Sequence, residues 1–541
     1  MSIGELERAI GKAIPVEVPI ILIAYMALML LIGLWAAKRV KSSEDWFVGG
    51  REMGPWITAL AHGSSSVGGG MYIAGPQYGW ESGASSLWAA PGDVFGPLLN
   101  FGIIARRMRR YTERTKSLTI PDFFGHRYYS RGVKLLSVII MLIAMVISLI
   151  VEYLALGVLL SCITGWSFEV SMLVGCIVVL VYTGAGGYLA VAYTDFVQSI
   201  LMVIGLAILI PVCISSAGGI AGMNESLYAI NAGLPTLWGE DFYLKGAPLM
   251  IAGIALVYFV GYMGQPHLVI KTVAIRDERS IRLVPLIGGI FGFFLSFGVY
   301  ILGMAGRVIF PDVSVLPGGS AEYIMPVLAL TELSPILAGF LLACAFSAIM
   351  STASALLLVV GSGAGSDLYH GFINPNASEK QVMRVTKIST YVLGLLSAVL
   401  CFAPMFQVGI YQVTWIAWSV LSPAFIPLII GGLYWKRGTK EGAYASLIVG
   451  SVTGFAWYYL LQESTNIHTF FAAIVLATAA YIIVSLMTKK PPQDIEKMVD
   501  YAKKFEDVST EESAVKAGVQ ISRENFSKIL YERAQTAEAA C

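Results

Sequence analysis

Apolar residues run along this chain in long stretches separated by short charged segments, without the alternation of a half-buried strand. A helix needs about 20 apolar residues to cross a bilayer. About thirteen stretches meet that length, near 18–37, 54–79, 83–105, 135–163, 168–188, 194–217, 247–270, 284–308, 335–369, 386–404, 410–433, 443–462 and 467–487. They are called spans 1 to 13 below. Several are too long for one straight crossing, which predicts tilt or kinks.

Span 2 holds the least helix-like sequence: His62-Gly63-Ser64-Ser65-Ser66-Val67-Gly68-Gly69-Gly70-Met71-Tyr72. Each glycine in a helix interior costs about 1 kcal/mol against alanine. Unwound backbone at membrane depth survives only where it is buried in protein or lines a polar cavity. Span 7 carries a second interruption, Val260-Gly261-Tyr262-Met263-Gly264-Gln265-Pro266-His267. Spans 2 to 11 divide five and five, and an odd number per half inverts the second relative to the first. Breaks opening both halves of such a repeat point to the binding site of a transporter. The expected architecture is an all-α membrane protein of about thirteen helices, with an inverted five-plus-five core at about 54–217 and 247–433.

Composition agrees: 56% of the residues are hydrophobic and 13% charged, with a mean hydropathy of +0.72. The net charge of +1 identifies no partner, but its distribution is informative. Lys38, Arg39, Lys41 and Arg51, the run from Arg106 to Lys134, Lys271 to Arg282, Lys380 to Lys387 and Lys436 to Lys440 all fall on one side of thirteen spans. The positive-inside rule makes that side cytoplasmic, with the N-terminus outside and the C-terminus inside. Glu225, Glu240, Asp241, Asp312, Glu322 and Glu332 lie on the opposite side, where loops 218–246 and 311–334 are long enough to form a lid. Residues 1–488 form the membrane domain and 489–541 a charged cytoplasmic tail, helical or disordered. The six cysteines form no Cys-x-x-Cys pair and suggest neither a metal site nor a disulfide framework. No Gly-x-Ser-x-Gly elbow or paired histidine and acid indicates an enzyme.

Candidate chemistry concentrates in a few spans. Ala348, Ser351 and Thr352 in span 9 are spaced i, i+3, i+4 and share a helix face. Their neutral oxygens suit a monovalent cation, whereas small residues at that spacing also serve plain helix packing. Glu152 in span 4 costs roughly 2.5–3.5 kcal/mol to insert, so it defaults to function: a solute's cationic group, a proton or a second cation. The alternative places it near water at the end of a tilted span. His62 reads as a packing residue before a proton carrier, and His267 as a structural hydrogen-bonding residue near the cytoplasmic end of span 7.

Trp46-Phe47-Val48-Gly49-Gly50-Arg51-x-x-Gly54-Pro55-Trp56, Tyr182-Thr183-x-x-Gly186-Gly187-Tyr188-Leu189-Ala190-Val191-x-x-Thr194-Asp195-x-x-Gln198, Gly264-Gln265-Pro266-His267 and Met350-Ser351-Thr352 are collinear over about residues 44–450. Together they resemble the sodium:solute symporter family, and within it the sodium/proline branch. That resemblance implies solute uptake driven by Na+, in a fold of the inverted-repeat kind. It implies a sodium site made of the Ser64 and Val67 carbonyls, the Ala348 carbonyl and the Ser351 and Thr352 hydroxyls. Asp195 matches an acid of the inner sodium pathway, with helix capping as the plain alternative.

The chain departs from the proline branch at four positions. Ser66 replaces an aspartate, Gly70 an aromatic, Ser148 a tyrosine and Tyr258 a tryptophan, while Tyr262 is kept. The triple glycine also resembles the pantothenate branch. The expected solute site comprises Gly68, Gly69, Gly70, Ser148, Glu152, Tyr258, Tyr262 and Gln265. The expected function is sodium-coupled import of a small organic solute, an amino acid or carboxylate, across the cell membrane, with no nucleic-acid partner and an oligomeric state left open, a monomer included. A proton-coupled carrier of the same fold, a transporter-like sensor and a passive channel are the rivals.

Overall fold

The computed structural model describes residues 13–40, 43–239 and 247–503. The expectations on Lys41, Glu240, Asp241, Lys245, Cys541 and tail residues 504–541 lie outside them. The described residues are almost wholly helical, with an isolated bridge between Met53 and Ile275. Eight helices are long and apolar enough by themselves to cross a membrane. The other expected spans fall on shorter, broken or less apolar helix, so length and hydropathy alone do not reach thirteen.

Burial explains the layering. The most apolar window of the span-9 helix, within Pro335–Ile373, is 100% buried. A helix apolar on every side belongs inside a bundle. It packs against span 4 (Arg131–Thr164), spans 1 and 10, and the first two segments of span 2. The span-1 helix Glu17–Ala37 and the span-13 helix Thr469–Met487 are only 28% and 33% buried over their apolar windows, and lie at the periphery.

Both expected breaks are present. Span 2 forms Pro55–Ser66, Gly69–Tyr72 and Ala74–Ser82, joined through non-helical Val67 (φ −102°, ψ 64°) and Gly68 (φ −86°, ψ −157°). Span 7 forms Pro248–Phe259, a tight turn Gly261–Gly264, and Pro266–Ala274. Pro266 opens the last of these, where a missing N–H costs nothing. The two broken helices open the two halves of an inverted five-plus-five core.

Spans 5 and 6 run together as Phe168–Ser216 and bend at Gly187 (φ 57°, ψ −153°). A Cβ there would lie 2.5 Å from the Trp46 ring, so glycine is required on both counts. At the far end, Gln493–Lys503 buries Ile495, Met498, Val499 and Ala502 and packs on Arg106–Thr115.

Candidate functional site

The first span-2 segment ends where its carbonyls meet the small-residue face of span 9. Ser351 Oγ lies 2.9 Å from both the Ser64 and Ala348 carbonyl oxygens, and Thr352 Oγ1 lies 3.2 Å from the same Ser64 carbonyl. Each hydroxyl has one proton, so Ser351 can serve Ala348 while Thr352 serves Ser64, and lone pairs of both hydroxyls and carbonyls stay uncovered. The amides of Met71 and Tyr72 both donate to Gly68 O, at 3.0 and 2.7 Å, which leaves the Val67 carbonyl outside the helical ladder. All five residues expected around sodium are buried. Packing alone does not require a crowd of acceptors around Ser64.

Asp195 sits well inside the helix after the Gly187 bend and caps nothing. Its Oδ2 accepts from Ser65 Oγ at 2.9 Å and pairs with Lys271 Nζ at 3.2 Å. Lys271 also donates to Ser65 Oγ at 2.6 Å and to the Ala61 carbonyl. Counting Lys271 among the loop charges was therefore wrong. It is 2% exposed, on the inner segment of span 7, and ties that segment to span 2 and span 6. The signal was its position: an apolar run from Leu268 to Ile275 encloses it, before the first hydrophilic cluster at Arg276.

Beside this cluster lies a small cavity, lined by Gly68, Gly70, Ser148, Glu152, Tyr258 and Thr352 of the expected residues. Gly69 does not line it, but its amide donates to Glu152 Oε2 at 2.7 Å. Glu152 is 3% exposed, which removes the reading of a carboxylate reaching water. A Cβ on Gly68 would lie 2.4 Å from Glu152 Oε1 and 2.6 Å from Thr352 Oγ1, so the glycines admit the span-4 carboxylate and span 9 to the break.

Two of the expected solute residues lie off the cavity wall. Tyr262 packs between His62 and Trp418, with ring centroids 6.1 and 5.2 Å away, and does not line the cavity. Gln265 donates to Ser422 Oγ at 2.9 Å, which donates to the Gly261 carbonyl at 2.8 Å. Both residues stabilise the span-7 break, because a tight turn there turns their side chains towards span 11. His62 lies 3.0 Å from Asn100 Nδ2 and packs edge-on against Phe101, as its packing role required.

Sequence reasoning missed further lining positions, among them Ser65, Met71, Val151, His267, Leu356, Thr414, Ala417 and Trp418. Thr414 and Trp418 are i and i+4 on span 11, a face legible as a stripe but not as a cavity wall. Buried His267 faces the Ser65 backbone from the inner segment of span 7.

On the face opposite the basic loops, Tyr411 donates to Glu81 at 2.8 Å and Trp80 to the Phe310 carbonyl at 2.9 Å. Tyr78 packs against Tyr411 and Trp415, at 5.4 and 5.5 Å. Glu322, in a tight turn of loop 311–334, accepts from the Ile410 amide at 3.0 Å. Burial raises its pKa to about 7, with the Ile410 amide lowering it and nearby Glu81 raising it.

Residues 46–450 match the profile of the sodium:solute symporter family. The osmoregulated proline transporter of Bacillus subtilis is 32% identical over 480 residues, covering 88% of this chain and 96% of its own. The sodium/proline symporter of Haemophilus influenzae is 31% identical over 502 residues, covering 89% and 96%. Among solved structures, a Na+-coupled sialic acid symporter in a substrate-bound outward-open state superposes with a TM-score of 0.72 at 19% identity, over 89% of this chain and 100% of the other. A nucleobase-cation-symport-1 family transporter, closed with bromovinylhydantoin bound, gives 0.53 at 13% identity, over 84% and 97%. These structural likenesses establish the fold.

Proposed function

Because this chain belongs to the sodium:solute symporter family, and is a sodium-coupled symporter of a membrane rather than an enzyme, we propose that it imports a small organic solute by alternating access around the span-2 break. Na+ is held by the carbonyls of Ser64, Val67 and Ala348 and the hydroxyls of Ser351 and Thr352. The single observation that carries this assignment is the set of buried oxygens 2.9–3.2 Å apart where span 9 meets the break. A bound cation satisfies every lone pair the hydroxyls cannot. It also joins span 9 to the break, and so orders the adjoining cavity wall at Gly68 and Glu152.

Asp195 and Lys271 stand on the inner side of that site, and their pairing closes the way from the sodium site to the cytoplasm. Release of Na+ inward then requires Asp195 to let go of Ser65 or Lys271. The N-terminus lies outside and the C-terminus in the cytoplasm, as the basic loops indicate. Residues 1–488 form the membrane domain and 489–541 its tail. The amino acid or carboxylate expected from sequence agrees with the proline named for the relatives, although Ser66, Gly70, Ser148 and Tyr258 reshape the cavity.

The test is stabilisation of the purified protein by NaCl over KCl, together with uptake in liposomes. The variant Ser351→Ala, Thr352→Ala is expected to lose the Na+-specific stabilisation and the sodium dependence of uptake. Unchanged Na+ responses in that variant overturn the site.

A further inference from the structure

We propose that the solute is a small organic cation, an amine or quaternary ammonium carrying no carboxylate, with its charged nitrogen held by Glu152 beside the rings of Tyr258 and Trp418. The proposal rests on the symporter reading above and departs from the amino-acid or carboxylate class.

The first argument is what already occupies the break. Backbone amides freed at a broken membrane helix are ordinary receptors for a substrate's anionic group. Here the Gly69 amide is engaged by the chain's own carboxylate, Glu152 Oε2, at 2.7 Å. A solute carboxylate would have to displace Glu152 from that amide. The other oxygen, Oε1, makes no hydrogen bond among the described residues, and Glu152 lines the cavity.

The second argument is the direction of the hydroxyl protons. Four hydroxyls line the cavity and give their protons to backbone carbonyls: Ser66 to Gly63 at 2.6 Å, Ser148 to Ala144 at 3.0 Å, Thr352 to Ser64 at 3.2 Å and Thr414 to Ile410 at 3.0 Å. A fifth, Ser65, gives its proton to Asp195. Each of these hydroxyls is left with lone pairs to offer, so acceptors outnumber the side-chain donors of the wall, which are the Tyr258 hydroxyl, the Trp418 indole and the His267 ring. No lysine or arginine lines it, and the nearest ammonium, Lys271, is committed to Asp195, Ser65 and Ala61. An anion would find few partners here, whereas an ammonium would find them on several sides.

The third argument is the remaining wall. The rings of Tyr258 and Trp418 have centroids 5.7 Å apart, and both line the cavity. Aromatic faces attract organic cations through the ring quadrupole.

Matched pairs of probes test this, since pyrrolidine and choline differ from L-proline and glycine betaine chiefly in a carboxylate. Thermal stabilisation of the purified protein by each of the four is measured in NaCl and in KCl. Pyrrolidine or choline is expected to stabilise the protein in NaCl, at concentrations at least tenfold below those of its carboxylate twin. Glu152→Gln keeps an oxygen for the Gly69 amide, and is expected to weaken the cation response at least tenfold while melting normally without solute. Trp418→Leu leaves the carboxylate untouched and is expected to weaken choline about threefold or more.

The proposal falls if L-proline or glycine betaine binds as tightly as its partner, if folded Glu152→Gln responds like the parent, or if none of the four stabilises the protein. A Na+-dependent response to L-proline would remove the cation class and leave the symporter reading standing. A cation response of equal size in KCl would keep the class and remove the sodium coupling.

Discussion

At the residue scale, the site depends on a few atoms with no freedom to move. Gly68→Ala would place a methyl 2.4 Å from Glu152 Oε1 and 2.6 Å from Thr352 Oγ1, which forces span 4 or span 9 outward. Its expected result is loss of Na+-specific stabilisation, measured by the NaCl-over-KCl thermal shift. Lys271 poses a different problem. Removing one partner of a buried ion pair leaves an uncompensated charge and costs about 3–5 kcal/mol. Lys271→Met is therefore expected to destabilise the protein by about that amount. Adding Asp195→Asn is expected to restore part of it, as a denaturation double-mutant cycle would show. Glycine 68 could be singled out from sequence, because three consecutive glycines in an apolar span need a reason. Lys271 could not be placed the same way, because a lysine near a span end is ordinarily a loop charge.

At the element scale, the two broken helices were legible and their partners were not. Glycine and proline weaken a helix wherever they fall, so the breaks at Gly68 to Gly70 and at Gly261 to Pro266 show in one dimension. Which helices cover the exposed backbone depends on packing, and here spans 4, 9 and 11 do so. Tyr262 and Gln265 lie off the cavity wall for that reason, since the turn directs both towards span 11. The bend at Gly187 makes a sharp prediction. Gly187→Ala meets both a positive φ of 57° and the Trp46 ring, and is expected to lower the melting temperature far more than Gly54→Ala, where no atom lies within 4 Å.

At the scale of the whole molecule, charge organises the two faces. Loop residue Glu322 is half-buried on the face opposite the basic loops, and its pKa of about 7 stands above its ordinary 4.5. The stability it contributes is fully present below the ordinary value and is lost as pH rises through about 7, because the buried carboxyl must then ionise. Melting temperature is expected to fall between pH 5 and 8, and Glu322→Gln is expected to flatten that slope. Orientation is open to a direct check. Exposed Glu225 and Lys380 lie on opposite faces in the proposed topology. Glu225→Cys is expected to react with an impermeant maleimide in intact cells, whereas Lys380→Cys is expected to react only after permeabilisation.

The sequence by itself determined that this is a helical membrane protein, where its two helices break, and which face of span 9 carries small oxygens. Those properties follow from composition and spacing along one dimension, and from the cost of unpaired backbone in lipid. Tertiary structure alone decided that Lys271 is buried against Asp195, that Glu152 takes the Gly69 amide, and that the cavity hydroxyls turn their protons away from it. Each of these depends on residues distant in sequence meeting in a medium without water, where every proton and charge must find its partner within the protein.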